Sequence, residues 1–234
     1  MKPVAVFRHT PTEGPGYFAT YLDTHRIPWR LIAVDAGETV PADPRAFSGL
    51  VFMGGPMSVN DDLPWIAPAL QLIRDAVTAD VPVLGHCLGS QLMSKALGGA
   101  VTRNRVKEIG WGEVRIPDHP AARQWFGDVP AFVAFHWHGE TFSLPSGAER
   151  MLTNGNCDNQ AFALGKHLGM QCHIEMTPQL IASWCDNGAR EIAESDSPAV
   201  QSAAEIENAI GRHLPALHHV ANTVYGRWVR GLSE

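Results

Sequence analysis

Four short apolar runs, VAVF at 4–7, LIAV at 31–34, LVFM at 50–53 and PVLG at 82–85, constrain this chain more than any other feature. Each is too short for a helix and shows no polar alternation, the pattern of strands buried on both faces. Between the third and fourth runs, Ile66, Ala69, Leu70, Ile73, Ala76 and Val77 recur at three- and four-residue steps. That spacing predicts a helix with one buried stripe. Residues 91–97 read as a further helix, stopped by Gly98 and Gly99. Strands alternating with helices predict an α/β fold, a central mostly parallel or mixed sheet flanked by helices.

The middle of the chain is less regular. EIGWGEVRI at 108–116 and AFVAFHWH at 131–138 have strand character, and 160–175 reads as two paired strands around a turn. These segments predict an antiparallel or mixed edge to the sheet. From about 177 the chain turns mainly helical. Thr177 suits an N-cap, Pro178 the first helical position, and Gly188 the end of that helix. Another helix is expected to begin near Ser202, with Pro215 dividing it. With no internal repeat, one domain over 1–234 is the simplest organisation.

Composition narrows the partners. The formal net charge is −6, and the Lys and Arg residues are scattered, so a nucleic-acid partner is not expected. No run is long and apolar enough for a membrane span. Four cysteines, Cys87, Cys157, Cys172 and Cys185, in a chain that opens without a secretory leader point to free thiols in the cytoplasm.

One of those cysteines has a setting that an inert core thiol does not need. GHCLG at 85–89 places Cys87 between glycines, after a strand and before a helix. In such a turn the central side chain is exposed above the strand end, the glycines permit close backbone approach, and the helix N-terminus favours the thiolate. A thiol nucleophile needs a base. In QCHIEMTP, His173 and Glu175 are separated by one residue and would share a face of a strand, Glu175 orienting His173 and His173 serving Cys87. Alone, that pair also fits an ordinary surface contact. In VFMGGPMSVND a strand runs into two glycines, so the Gly55 amide, with that of Leu88, is a candidate oxyanion donor.

Together, GGPMSVND at 54–61, GHCLGSQLMSKALGG at 85–99 and QCHIEMTP at 171–178 resemble the class I glutamine amidotransferases, in particular standalone proteins similar to the glutaminase domain of GMP synthase. The resemblance covers the chain to at least Pro178. It implies a flavodoxin-like three-layer fold and release of ammonia from glutamine through a γ-glutamyl thioester on Cys87. It further implies His173 as base and acid, Glu175 as its orienter, and Gly55 and Leu88 as the oxyanion hole. Gly54 and Gln91, with His138 and Glu140 of HWHGE at 136–140, become candidate substrate contacts. Three positions depart from the family pattern: Cys172 and Ile174 replace the usual phenylalanine and proline around the histidine, and His86 stands where an aliphatic residue is common.

The acceptor of the ammonia is open. No phosphate-binding loop and no room for a synthetase domain are evident, so a separate synthetase subunit is one implied partner. A hydrolase or transferase acting on another γ-glutamyl amide or peptide uses the same thiol chemistry, and a non-catalytic regulatory or binding protein is a third class. No cofactor is expected. The pairs at 136–138 and 218–219 suggest no metal, because adjacent histidines diverge and a third ligand is not evident. Trp65, Trp111, Trp125, Trp184 and Trp228 are expected to pack, with Trp137 nearer the pocket.

Overall fold

The computed structural model describes residues 1–233. The chain opens with β1 (Val4–Arg8), α1 (Gly16–Thr24), β2 (Trp29–Ala33), β3 (Gly49–Phe52), α2 (Ile66–Thr78), β4 (Val83–His86) and α3 (Leu88–Ala96). There follow β5 (Val101–Arg115), α4 (Pro120–Phe126), β6 (Ala131–Phe142), β7 (Glu149–Leu152), β8 (Ala161–Leu164) and β9 (His167–Met170). The last part is α5 (Pro178–Asn187), α6 (Ala189–Ala193), β10 (Ala199–Val200), α7 (Ala203–Asn208) and α8 (Ile210–Val229).

The main sheet has seven strands in the order β2-β1-β3-β4-β9-β8-β7. The first five are parallel; β8 and β7 add on antiparallel. Both faces are covered, which is why the strands read as unbroken apolar runs. On β1, Val4 and Val6 pack with Phe18 and Leu22 of α1 and Tyr225 and Trp228 of α8. Ala5 and Phe7 point the other way, toward Ile73 of α2 and Leu92 of α3. The result is a three-layer α/β fold, as expected.

Three local expectations need correction. The segments at 108–116 and 131–138 do not join the edge of the main sheet; β5 and β6 pair antiparallel in a second sheet of order β10-β5-β6. His173 and Glu175 do not lie in a strand, because β9 ends at Met170 and only one isolated bridge, Phe135 with His173, continues the pairing. Pro215 does not divide the last helix, which runs through it. The break falls at Ala209, where α7 ends and α8 begins. The expected start of α5 is present: the Thr177 side chain accepts from Leu180 N at 3.2 Å, with Pro178 in the first turn. Among the described residues no helix is long and apolar enough to cross a membrane.

Candidate active site

Cys87 occupies the one-residue corner between β4 and α3, at φ 48° and ψ −106°. A non-glycine residue with positive φ stores strain, and the surroundings must hold it. The Cys87 N–H donates to Met170 O at 2.7 Å, tying the corner to the end of β9. The flanking glycines explain how α3 approaches so closely. A methyl group on Gly89 would collide with the carbonyl of Phe52, and one on Gly85 would lie 2.5 Å from the backbone of Gly89. Glycine at 85 and 89 is thus a packing requirement of the turn that presents the thiol.

The second component lies beyond β9. His173 is clamped to β6 by its N–H donating to Phe135 O at 2.8 Å and by Phe135 N donating to His173 O at 3.3 Å. Its Nδ1 lies 2.6 Å from Glu175 Oε1. The other carboxylate oxygen, Oε2, is 3.1 Å from Nδ1 of His86. All three groups are buried. Burial favours a neutral carboxyl at Glu175, but the two imidazoles outweigh it and hold its pKa well below the usual carboxylate range. Burial likewise disfavours a charged His173, yet the Glu175 carboxylate and then the Cys87 thiol raise its pKa well above the ordinary value. With Nδ1 donating to Glu175, Nε2 of His173 is the nitrogen left to exchange a proton, and it has no hydrogen-bond partner among the described residues.

Cys87 opens onto a cavity of about 510 Å³, lined among others by Gly55, Gln91, Trp137, His138, Glu140 and Trp184. Leu88 is the first residue of α3, so its N–H has no partner within the helix. Gly55 lines the same cavity as Cys87, and a methyl group built on it would lie 2.8 Å from the Leu88 side chain. Gln91 is 4 % exposed and donates to Gln171 Oε1 at 3.1 Å, while Gln171 Nε2 lies 3.4 Å from the Cys87 sulfur. Gln91 thus shapes the floor under the nucleophile through Gln171. Gly54 is buried against His9, whose Nδ1 is 3.2 Å from the Gly54 carbonyl.

His138 and Glu140 also line the cavity. His138 Nδ1 lies 3.0 Å from Glu140 O, and the Glu140 carboxylate accepts from Ser58 Oγ at 3.1 Å. His136 and His138 do share a face, and Glu108 supplies the third ligand type that the sequence did not reveal; their ligand atoms lie within 4.8 Å of one another. Glu108 is already surrounded by donors, however. Asn154 and Asn156 donate to Oε1 at 2.7 and 3.2 Å, Gln160 donates to Oε2 at 2.7 Å, and His138 Nε2 lies 3.1 Å from Oε2. Against the opposing effect of burial, His138, the nearby His136 and the Asn156 amide hold its pKa at about 2. A carboxylate with its acceptor positions filled suits hydrogen bonding better than metal ligation.

Four residues at the site escaped the sequence reading of roles. His86 touches Glu175. Gln171 touches the thiol. Trp184, expected only to pack, lines the cavity with its ring edge-on to His173 at 4.8 Å between centroids. Glu13 lines the same cavity from the loop after β1. His86 had a signal in its place beside Cys87; Glu13 had none, because TPTEGPG reads as an ordinary turn.

A model of the family described as glutamine amidotransferase class-I matches residues 24–189. The chain belongs to the class I glutamine amidotransferases. A glutamine amidotransferase-like protein of Salmonella typhimurium, YfeJ, is 31% identical over 211 residues, covering 85% of this chain and 86% of the relative. The crystal structure of a glutamine amido transferase from Methylobacillus flagellatus superposes with a TM-score of 0.98 at 44% identity, covering 100% of this chain and 96% of that one. The GMP synthase [glutamine-hydrolyzing] of Bacillus pumilus is 31% identical over 163 residues, 68% of this chain but only 29% of that protein. The amidotransferase chain thus spans less than a third of the length of that GMP synthase.

Proposed function

We propose that the protein hydrolyses the side-chain amide of glutamine, with Cys87 as nucleophile, His173 as base and acid, and Glu175 as the group that orients His173. The observation that carries this reading is the free Nε2 of a buried histidine, fixed by Glu175 at 2.6 Å, beside a thiol held in a strained strand-to-helix corner. The thiolate attacks the amide carbon, and a C–S bond forms as the C–N bond breaks. His173 delivers a proton from Nε2 to the departing nitrogen, which leaves as ammonia. Water then adds to the γ-glutamyl thioester, giving its proton to His173, and the C–S bond breaks to release glutamate and restore the thiol. The N–H groups of Gly55 and Leu88 stabilise the oxyanion in both halves.

The name of the GMP synthase relative states that it hydrolyses glutamine, which supports the same chemistry here. Ammonia released from this chain would pass to a separate synthetase subunit. The test is glutamate release from glutamine by the purified protein and by its Cys87→Ala variant. Release that disappears with Cys87 supports the reading, and release that survives in the variant removes Cys87 from the role of nucleophile.

A further inference from the structure

Glu13 stands apart from the other acidic groups at the cavity. Glu175 has two imidazoles, Glu191 has Lys107 at 2.6 Å and the Trp137 indole at 2.8 Å, and Glu140 has Ser58. The Glu13 carboxyl accepts no hydrogen bond among the described residues, although it lies mostly out of solvent and lines the cavity that holds Cys87. The loop that carries it is pinned. Thr12 O accepts from the Trp184 indole at 2.9 Å, and Glu13 N donates to Thr10 O at 3.2 Å. An unpartnered carboxyl on a fixed loop is preorganised for a group that arrives from outside.

Its position says which part of a substrate arrives there. A methyl group built on Gly54 would collide with Glu13 Oε2 and lie 3.4 Å from Cε1 of His173, so the carboxyl and the imidazole border the same spot. In the proposed reaction His173 hands its proton to the departing nitrogen. The side of the cavity shared by His173 and Glu13 is therefore the side of the leaving group. Gln91, His138 and Glu140 line the same cavity. The cavity volume, about 510 Å³, belongs to the class that takes ligands larger than one amino acid.

We propose that Glu13 is a specificity-determining residue that selects γ-glutamyl amides whose leaving amine carries a positive charge. This rests on the acyl-transfer reading of Cys87 for turnover, but its recognition step does not. Burial disfavours the charged carboxylate, and the neighbouring carboxylates of Glu175 and Glu191 add to that against the opposing effect of His173, raising the pKa of Glu13 to about 7. A cation placed against it relieves the same repulsion. Because only the ionised carboxyl pairs with a cation, affinity for such an amide should rise about tenfold between pH 6 and pH 8, whereas a purely structural Glu13 would produce no such rise.

The experiment uses the Cys87→Ala chain, so that binding is measured without turnover. Calorimetry compares γ-glutamyl 3-aminopropylamide with γ-glutamyl butylamide, which has the same size and no charge on the amine side. The cationic amide should bind at least about tenfold tighter at pH 8, and Glu13→Gln should abolish that preference while leaving the butylamide Kd within about twofold, which also reports an intact fold. Equal affinity for the two amides, a preference that survives Glu13→Gln, or binding of neither overturns the proposal. Turnover of the same two amides and of glutamine by the chain with Cys87 is scored separately. Binding that follows Glu13 without hydrolysis of any of them would overturn the acyl-transfer reading and leave the selectivity of Glu13 standing.

Discussion

Glu175 and Glu108 are both buried carboxylates set against an imidazole, and both are held well below the usual carboxylate range. They differ in what the histidine has left over. Both nitrogens of His138 lie against an oxygen, Nδ1 3.0 Å from Glu140 O and Nε2 3.1 Å from Glu108 Oε2. His173 is engaged at Nδ1 only, and its Nε2 has no hydrogen-bond partner among the described residues. Glu108 is also filled by three side-chain amides, whereas Glu175 has only imidazoles at its side-chain oxygens. Similar pairs thus serve opposite ends. A histidine with an oxygen against each nitrogen is held as support, and one whose second nitrogen meets no such oxygen can move a proton.

The largest effect should come from the histidines. His173→Ala is expected to lower glutamate release about 10³-fold or more, while His138→Ala should lower kcat less than about tenfold. Comparable losses in the two variants would break the distinction. The carboxylates sharpen it. Glu175→Gln should cost about 10²-fold in kcat, the lower end of an acid–base contribution, and leave the protein folded. Glu108→Gln should do the reverse, lowering unfolding stability by about 3–5 kcal/mol because an amide then faces the donors of Asn154, Asn156 and Gln160, while the folded fraction keeps its kcat within about threefold. Urea unfolding and initial rates on the same samples separate the two outcomes.

Acid should weaken the support before it touches the pair beside the thiol. Burial lowers the pKa of His9 and of His136 to about 4, so the unfolded chain binds more protons from about pH 6.5 down to 4, and stability falls as pH drops through that window. Glu108, ordinarily near 4.5 and held at about 2, adds a second fall between those values. Glu13 has the opposite sign. With its pKa raised to about 7, the native state binds the extra proton, and stability is lost as pH rises from about 4.5 through 7. Glu13→Gln should therefore raise the urea midpoint at pH 8 more than at pH 5. An equal shift at both would remove Glu13 as a titrating group.

Much of this arrangement was legible because some side chains answer to backbone demands. The doubly buried strands read as apolar runs, and Cys87 stood out because close approach of α3 to β3 and β4 requires Gly85 and Gly89. The second sheet was partly hidden, since its longest strand begins with the polar, largely solvent-facing VTRNRVK, and the register shifts between Arg103 and Glu108. His173 and Glu175 were expected on a strand; they meet instead in irregular backbone, pinned by Phe135 and by Tyr17 N donating to Glu175 O at 2.8 Å. A two-residue spacing could name the pair but not the loop that holds it. Glu108 and Glu13 carried no local signal, because what singles them out is the presence or absence of partners distant in sequence.

The smallest effect belongs to the residue that departs from the family pattern within the cysteine motif. His86 ends β4, is fully buried, and sets Nδ1 3.1 Å from Glu175 Oε2, with its ring edge-on to Tyr225. Valine at this position would keep the apolar packing and remove the second imidazole from Glu175. Glu175 would still have His173 at 2.6 Å, so the orientation of His173 survives. Its carboxyl would, however, lose one of the two imidazoles that hold its pKa down. His86→Val should then lower kcat by less than about tenfold and move the acid limb of the pH–rate profile to higher pH, since Glu175 must stay ionised for His173 to carry a proton. A kcat loss as large as that of Glu175→Gln would make His86 a full member of the proton-handling group, and an unmoved acid limb would make it packing alone.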